Sequence, residues 1–278
     1  MEPSNNDEAD SAIIMAIYHK DRIFPLFCCL WSLVNQTISN YKVFICIDGF
    51  VSADIKNLLN FYSRKFNFIY VVSKDKNSGL AKSLNHLIEF CLKEHPNILY
   101  YFRMDADDIC CLNRIQVQRD YLNHHPEIDV LGGACKEFGL YSKIIKKPES
   151  DSEIKQNIIK ITPFIHPTVV FRKRIFEQMI RYPEKTHLSE DLALWLTLSK
   201  MDKCFHNLPE IVLYYRLNSS TLDRRMSIKK ASSEFIMRLS YIKKSKENII
   251  SNFFYCIGHF TIRIMPISIS KIFYKILR

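Results

Sequence analysis

Short apolar runs alternate with amphipathic stretches through the first part of the chain. Four runs have the length of buried strands and lie at residues 12–18, 42–47, 67–72 and 98–104. Three stretches between them carry apolar side chains at helical spacing and cover residues 22–36, 53–64 and 80–94. Strands that alternate with helices predict an α/β fold, in which a mostly parallel sheet is covered by helices on both faces.

The second half of the chain has a less regular pattern. Helices are predicted over residues 112–124, 151–160, 172–180 and 190–200. Strands are predicted over residues 129–135, 168–171 and 210–216. Side chains at two helix starts support the helices predicted over residues 22–36 and 190–200. Asp21 is expected to cap the first helix, and Glu190 and Asp191 lie at the positive end of a helix dipole.

The last fifth of the chain is strongly basic. Residues 221–278 contain 12 of the 39 Lys and Arg residues but only 3 of the 29 Asp and Glu residues, so they carry +9 of the net charge of +10. The pattern predicts a basic amphipathic helix over 227–248 and an interfacial helix over 249–262, before Pro266. Such a segment is attracted to anionic lipid or to nucleic acid. The alternative is a segment that folds back onto the rest of the chain.

Composition narrows the class of protein. A hydrophobic content of 47% indicates a folded chain. Nine cysteines without a Cys-x-x-Cys pair favour reduced cytosolic thiols and argue against a zinc ribbon. The first eleven residues are too polar for a signal peptide, and no apolar run of about 20 residues predicts a transmembrane helix. We therefore expect a polar tail at 1–11, an α/β domain at 12–220 and a basic helical region at 221–278.

An acidic sequence, Asp105-Ala106-Asp107-Asp108, directly follows the fourth predicted strand. Clustered carboxylates repel one another, so their burial requires a cation or hydrogen-bond donors. Oxygen ligands suit Mg²⁺ or Mn²⁺, which often bridge protein carboxylates and substrate phosphates. The spacing alone leaves two interpretations open, a metal site and a solvated acidic turn that caps the next helix.

Two further candidates lie in the first half of the chain. Asp48 follows the second predicted strand, and ligands of open parallel sheets bind beyond the carboxyl ends of strands. This carboxylate can accept a hydrogen bond from a base or a ribose, but in isolation an Asp-Gly turn explains it better. Lys82 ends the sequence Lys76-Asn77-x-Gly79-x-x-Lys82 at a helix start, where amides and lysines can meet phosphate. A plain helix start explains this sequence almost as well.

Three candidate sites lie in the second half. A carboxylate of Glu190 or Asp191 can act as a general base on a hydroxyl, although dipole complementarity alone also explains the pair. His166 precedes an apolar strand and is either structural or part of a site. Arg216 either neutralises a leaving diphosphate or lies on the surface.

Taken together, these segments resemble the family 2 glycosyltransferases, which have the GT-A fold. The resemblance covers about residues 11–220 and rests on six segments in the family's order: SLVNQTISNYKVFICIDG, KNSGLAKSLNHLI, YYFRMDADDIC, IHPTVVFRK, LSEDLALWLTL and NLPEIVLYYR. The later segments are especially similar to bacterial transferases that build O-antigen, capsule or exopolysaccharide. The Gln-x-x-Arg-Trp sequence of processive synthases is absent, which favours the addition of single sugars.

The resemblance implies a role for each acidic candidate. On the donor side, Asp48 would read the nucleobase, Asp105 would approach the ribose and the donor, and Asp107 would ligate the divalent cation that bridges the diphosphate. On the acceptor side, Asp191 would be the catalytic base. Glu190 would support it or touch the acceptor.

The resemblance also implies roles for the basic candidates. His166 would line the donor or acceptor pocket, and Lys82 and Arg216 would bind the donor. Family members often carry a histidine two residues after the tyrosine-arginine pair, whereas this chain has Asn218 at that position. The resemblance therefore gives no support for diphosphate binding by the loop that contains Asn218.

An inverting, metal-dependent glycosyltransferase is the implied function. It would use Mn²⁺ or Mg²⁺ and transfer a hexose or N-acetylhexosamine from a nucleotide diphosphate sugar, chiefly a UDP sugar, to a lipid-linked saccharide. It would lie in the cytoplasm at the inner face of the cell membrane, held by anionic lipid, with no nucleic acid partner. One alternative is a non-catalytic membrane-associated nucleotide-sugar-binding protein. Another is a sugar-nucleotide pyrophosphorylase, which would need a glycine-rich loop where this chain has IYHKDRIF.

Overall fold

The part of the chain that the structure describes contains nine strands, which form one sheet. The computed structural model of the protein describes residues 9–186, 188–218, 228–245 and 248–264. The strands are β1 (Ser11–Ile17), β2 (Tyr41–Asp48), β3 (Ile69–Lys74), β4 (Tyr100–Arg103), β5 (Ile109–Cys110), β6 (Val130–Gly139), β7 (Ile144–Ile145), β8 (Val170–Arg172) and β9 (Phe205–Leu217). The α-helices are α1 (Ile23–Val34), α2 (Ala53–Lys65), α3 (Leu80–Glu94), α4 (Arg114–His124), α5 (Asp151–Asn157), α6 (Lys173–Glu177), α7 (Glu190–Lys200), α8 (Ile228–Ser245) and α9 (Ile249–Ile264). The strand order is β3-β2-β1-β4-β8-β6-β9-β5, and β7 pairs with β6.

The first half of the sheet is parallel. Strand β1 pairs with β2 and β4, and β2 pairs with β3. Strands β1 and β2 are buried along almost their whole length because helices cover both faces, which explains their continuous apolar sequences. Asp48 ends β2 and the acidic sequence follows β4, so both lie at the carboxyl edge of the sheet. The predicted α/β fold with a mostly parallel sheet and flanking helices is confirmed.

The second half of the sheet is mixed. Strand β8 pairs antiparallel with both β4 and β6 and so joins the two halves. Strands β6 and β9 pair in parallel from Val130 opposite Phe205 to Gly139 opposite Leu217. Both strands are longer than predicted because their mutual pairing continues over polar residues that interrupt the apolar pattern. Strands β5 and β7 were not predicted, since two residues have no periodicity.

Two predicted helices end early, and one predicted cap is wrong. Helix α5 ends at Asn157. Helix α6 ends at Glu177, and the φ of Met179 is 60°, a left-handed value that does not occur within a right-handed helix. Helix α1 has no side-chain cap. The Asp21 carboxylate instead accepts a hydrogen bond of 2.7 Å from the Tyr18 amide.

The core has one layer on each face of the sheet. Helices α1, α2 and α4 cover one face, and α3, α5, α6 and α7 cover the other. Helix α8 packs on α7, where the Tyr241 hydroxyl lies 2.9 Å from Ser199 Oγ and Ile242 is buried. Helix α9 packs on α8, with the ring centroids of Phe235 and Phe260 5.0 Å apart. The first helix of the basic region therefore lies against the α/β domain.

The C-terminal helices begin close to the predicted positions. Helix α8 begins at residue 228 and α9 at residue 249. Residues 1–8, 219–227 and 265–278, with Pro266 and most of the predicted polar tail, lie outside the described residues. Across the described part of the chain, no helix has both the length and the hydrophobicity to span a bilayer. The division of the chain into three functional parts stays a prediction.

Asn85 of α3 fixes a loop that lies beside the candidate site described below. Its side chain is buried, and its Oδ1 accepts a hydrogen bond of 2.8 Å from the Tyr182 amide. Its Nδ2 donates to the Tyr182 carbonyl at 2.9 Å and to Glu184 Oε1 at 3.1 Å. One side-chain amide therefore pairs both backbone groups of Tyr182 and joins α3 to a segment that lies 97 residues further along the chain.

We predict that Asn85→Ala lowers the free energy of unfolding by about 2–4 kcal/mol, because two buried backbone groups each lose a partner at a cost of about 1–3 kcal/mol. Urea denaturation measures the change. His86→Ala is the control, since His86 is exposed on the same helix, and it should change stability by less than about 0.5 kcal/mol. Equal losses in the two variants would contradict the role given to Asn85.

Candidate active site

Three carboxylates meet in the loop between β4 and β5. Asp105, Asp107 and Asp108 each offer one oxygen, and these oxygens all lie within 4.8 Å of one another. Arg216 of β9 holds the loop through two hydrogen bonds. The Arg216 amide donates to Asp108 Oδ1 at 2.7 Å, and its Nε donates to the Asp107 carbonyl at 2.7 Å. The pairing of β5 with β9 fixes the loop at the same place.

The acidic loop is unlike a solvated turn, because one of its carboxylates is buried. Asp108 is only 1% exposed, and its Oδ2 has no hydrogen-bond partner among the described residues. Burial, together with the charges of Asp105 and Asp107, raises the pKa of Asp108 well above its usual range. An orphaned buried oxygen beside two further carboxylates is a donor set that suits Mg²⁺ or Mn²⁺.

Asp48 lies at the same edge of the sheet, and each of its carboxylate oxygens has a partner in the protein. It accepts hydrogen bonds from the Ser78 and Gly79 amides at 2.9 and 2.8 Å and pairs with Lys74 at 3.2 Å. Burial acts to raise the pKa of Asp48, but the two amides and Lys74 outweigh it and hold the pKa below its usual value. Asp48 thereby fixes the start of α3. Its role in nucleobase binding stays a prediction.

The glycine after Asp48 allows the loop that follows β2 to approach the loop that precedes α3. Gly49 has a φ of 84°, and a Cβ there would lie 2.6 Å from the Asn77 amide nitrogen. The Asn77 side chain donates to the Asp48 carbonyl at 3.2 Å. Lys74, which the sequence analysis did not single out, is the lysine that contacts Asp48, whereas Lys82 is exposed in the first turn of α3. Phosphate binding by Lys82 stays a prediction.

Glu190 and Asp191 are the first two residues of α7, as predicted. Burial and the charge of Asp191 raise the pKa of Glu190, while Lys230 of α8 and Arg103 of β4 oppose that rise. The Asp191 carboxylate accepts a hydrogen bond of 2.8 Å from the Leu192 amide. The pair is therefore a partly buried acidic site with a basic residue of α8 nearby.

Tyr182 connects the two acidic groups. Its hydroxyl lies 2.9 Å from His166 Nε2, which places His166 at the site. Burial and the charges of Asp191, Glu190 and Asp105 raise the pKa of Tyr182, and the charge of Arg103 opposes them. Acidic residues from the β4–β5 loop and from α7 thus act on the same hydroxyl, so they share one neighbourhood.

Arg103 and Tyr182 are members of this site that sequence reasoning missed. Arg103 is the last residue of β4, and its Nη2 lies 2.5 Å from Asp105 Oδ1. Its position in the run ILYYFRM was a signal, because an arginine that ends a buried strand needs an acidic partner. Tyr182 lies in a loop whose sequence carries no such signal. The arrangement has an acidic loop whose oxygens could hold a cation and a second pair of carboxylates at the start of α7.

Comparisons with known proteins identify the family of the chain. The family model described as "Glycosyl transferase family 2" matches residues 13–180. The chain is 30% identical to the amylovoran biosynthesis glycosyltransferase AmsE of Erwinia amylovora over 95% of this chain and 97% of that protein. It is 29% identical to an Escherichia coli enzyme over 98% and 97% of the two chains. That enzyme is named UDP-Gal:alpha-D-GlcNAc-diphosphoundecaprenol beta-1,3-galactosyltransferase.

A solved structure shares the fold at lower identity. The mannosyltransferase PcManGT of Pyrobaculum calidifontis, solved in complex with GDP-Man and Mn²⁺, has a TM-score of 0.64 and 10% identity. The match covers 96% of this chain and 79% of that one. With the GT-A architecture, the family match over residues 13–180 and the two acidic groups at one site, the chain belongs to glycosyl transferase family 2 and is a glycosyltransferase.

Proposed function

We propose that this glycosyltransferase transfers one hexose or N-acetylhexosamine from a nucleotide diphosphate sugar to a lipid-linked saccharide, with inversion at the anomeric carbon. A UDP sugar is the proposed donor, and bacterial surface polysaccharide is the proposed product. The names of two relatives support this assignment. One acts in amylovoran biosynthesis, and the other uses UDP-Gal and a diphosphoundecaprenol-linked acceptor.

One observation carries the proposal: two acidic groups with different surroundings share one site. The charges of Asp105, from the β4–β5 loop, and of Glu190 and Asp191, from α7, all act on the Tyr182 hydroxyl. Sugar transfer needs a cation at the leaving diphosphate and a base at the attacking hydroxyl. Separate carboxylates whose charges act on one buried hydroxyl would meet that need.

The donor side is assigned to the acidic loop. Asp107 would hold a Mn²⁺ or Mg²⁺ ion together with Asp105 and Asp108, whose oxygens lie within 4.8 Å of one another. When bound, such an ion offsets the negative charge that the leaving nucleotide diphosphate gains. The Mn²⁺ and GDP-Man in the structure of similar fold support this assignment. Asp48, Lys82, His166 and Arg216 are proposed to complete the donor site, with Asp48 at the nucleobase.

The acceptor side is assigned to the start of α7. A sugar hydroxyl is a poor nucleophile near neutral pH, so a carboxylate within hydrogen-bond reach must take its proton as the new C–O bond forms. Asp191 is the proposed base, and Glu190 is proposed to support it. Attack by the hydroxyl on the face opposite the leaving diphosphate inverts the anomeric carbon.

We predict that Asp191→Asn lowers kcat at least about a hundredfold, because general-base catalysis contributes about 10²–10⁴ and an amide cannot take the proton. The assay measures transfer from UDP-galactose, with Mn²⁺, to N-acetylglucosamine on a prenyl diphosphate. The KM for UDP-galactose should change little, since Asp191 is assigned to the acceptor. Asp202→Asn is the control, because it makes the same change at an exposed position after α7.

The assay also separates the alternatives. Near-normal turnover of the Asp191→Asn variant would remove Asp191 from the role of base. Thermal stabilisation of the wild-type protein by nucleotide sugars, without transfer of any of them, would favour a non-catalytic binding protein. Synthesis of a nucleotide sugar from a sugar phosphate and a nucleoside triphosphate would favour a pyrophosphorylase.

The C-terminal helices are proposed to hold the enzyme at the inner face of the cell membrane. Helix α9 exposes an apolar face that comprises Ile250, Phe253, Phe254 and Ile257. Helix α8 beside it exposes basic side chains, namely Lys229, Lys243 and Lys244. Exposed apolar side chains together with exposed lysines are typical of helices that lie in the interface of anionic membranes. The lipid-linked acceptor would then lie close to the enzyme.

We predict that Ile250→Ser combined with Phe254→Ser weakens vesicle binding at least about tenfold, because each side chain would otherwise bury apolar surface worth about 1.5–3 kcal/mol. These positions are 75% and 67% exposed, so folding should be unaffected. Co-sedimentation with phosphatidylglycerol-containing vesicles measures binding. The control is Phe61→Ser on α2, an aromatic residue that is 57% exposed outside this face. Wild-type binding by the double variant would reject α9 as the docking helix.

A further inference from the structure

A buried arginine contacts the acidic loop, and its charge also acts on Glu190 at the start of α7. Arg103 ends β4, and its side chain is 2% exposed. Its amide donates to the Val169 carbonyl at 2.9 Å, and its own carbonyl accepts a hydrogen bond of 3.0 Å from Arg114 Nη2. The hydrogen bond to Val169 extends the pairing of β4 with β8 and is enough to fix the origin of the side chain without Arg114.

The guanidinium group of Arg103 is only partly satisfied by hydrogen bonds. Its Nη2 pairs with Asp105 Oδ1 at 2.5 Å. Its Nε and Nη1 are buried and make no hydrogen bond to any residue that the structure describes. A buried charge with unsatisfied donors is costly unless charges of opposite sign surround it.

Acidic residues of two segments supply those charges. Asp105 of the acidic loop pairs with the guanidinium, and the charge of Asp108 acts on it as well. The charge of Arg103 also acts on Tyr182 and on Glu190 of α7. Arginine suits this place because it stays charged when buried and because its planar fork fixes a carboxylate in direction as well as in distance.

We propose that Arg103 is a positioning residue that serves as the internal counter-cation of the active site. It holds the Asp105 carboxylate in place and offsets the repulsion among the acidic side chains before a divalent cation binds. The same charge keeps the acidic loop and the start of α7 in one arrangement. This inference rests on the proposed function, because it assumes that the loop receives a cation.

The inference predicts a specific response to cation in variants of the full chain. Without Arg103, a divalent cation becomes the main charge that offsets the acidic loop. In Arg103→Met, the upward shift of Tm on adding Mn²⁺ alone should therefore be at least twice the wild-type shift, from a lower starting Tm. Turnover in the transfer assay should fall about 10- to 100-fold, as is usual when a residue that orients metal ligands is lost.

Two further variants separate this role from plain structural support. Arg103→Lys keeps the charge but not the fork, so its Mn²⁺ shift should match the wild type while kcat stays at least about tenfold lower. Arg114→Met removes a second fully buried arginine, which contacts Gln118 and the Arg103 carbonyl but no carboxylate. It should lower Tm and leave the Mn²⁺ shift at the wild-type size.

Several outcomes would overturn the inference. The same Mn²⁺ shift in Arg103→Met and Arg114→Met would make Arg103 an ordinary structural residue. Should Arg103→Met fail to fold, wild-type turnover of Arg103→Lys would reject the positioning role by itself. Suppose that the wild-type protein transfers sugar and is stabilised by Mn²⁺, but the variants give either of these two contrary results. Only this inference is then overturned. A wild-type protein with neither property overturns the proposed function as well.

Discussion

Mutual repulsion among carboxylates is the constraint on which the active site depends. Three carboxylates of the β4–β5 loop offer oxygens within 4.8 Å of one another, and the acids of α7 lie in the same neighbourhood. Arg103 and the backbone amide of Arg216 offset part of this charge. Oδ2 of Asp108 is buried without a hydrogen-bond partner among the described residues, so it is an acceptor that a cation could use.

Asp48 lies at the same edge of the sheet, but its negative charge is stabilised in a different way. Its two oxygens receive the Ser78 and Gly79 amides and pair with Lys74, so its charge is stabilised by the protein itself. Its pKa is held low, whereas that of Asp108 is raised. Two aspartates at the same edge of the sheet therefore differ in how their charge is stabilised, and the difference comes from the segments that contact them.

The parts of the fold that could be predicted from the sequence are those with local causes. Strands β1 and β2 are buried on both faces, so they appear as apolar runs, and α7 begins at its two acidic residues. The lengths of β6 and β9 depend on their pairing with each other across the sheet, which leaves no periodic signal. The cap expected of Asp21 failed for a different, local reason, because its carboxylate accepts a hydrogen bond from the Tyr18 amide three residues before it.

The same distinction applies to the site. The acidic loop and the Glu190-Asp191 pair were predicted because each is a contiguous sequence. Tyr182 was not, because its position depends on Asn85, which lies 97 residues away in the chain. Pairing of this kind can be read only from the folded structure, even though both partners lie in the printed sequence.

Helix α8 changes how the basic region should be understood. It packs on α7 through Tyr241 and Ser199, and the charge of Lys230 in its first turn acts on both Glu190 and His166. A helix from the basic region therefore contributes to the electrostatics of the candidate site. Removing the whole region would alter this site and the exposed apolar face of α9 together. Substitutions on the outward face of α9 change only the second of these, because that face points away from the α/β domain.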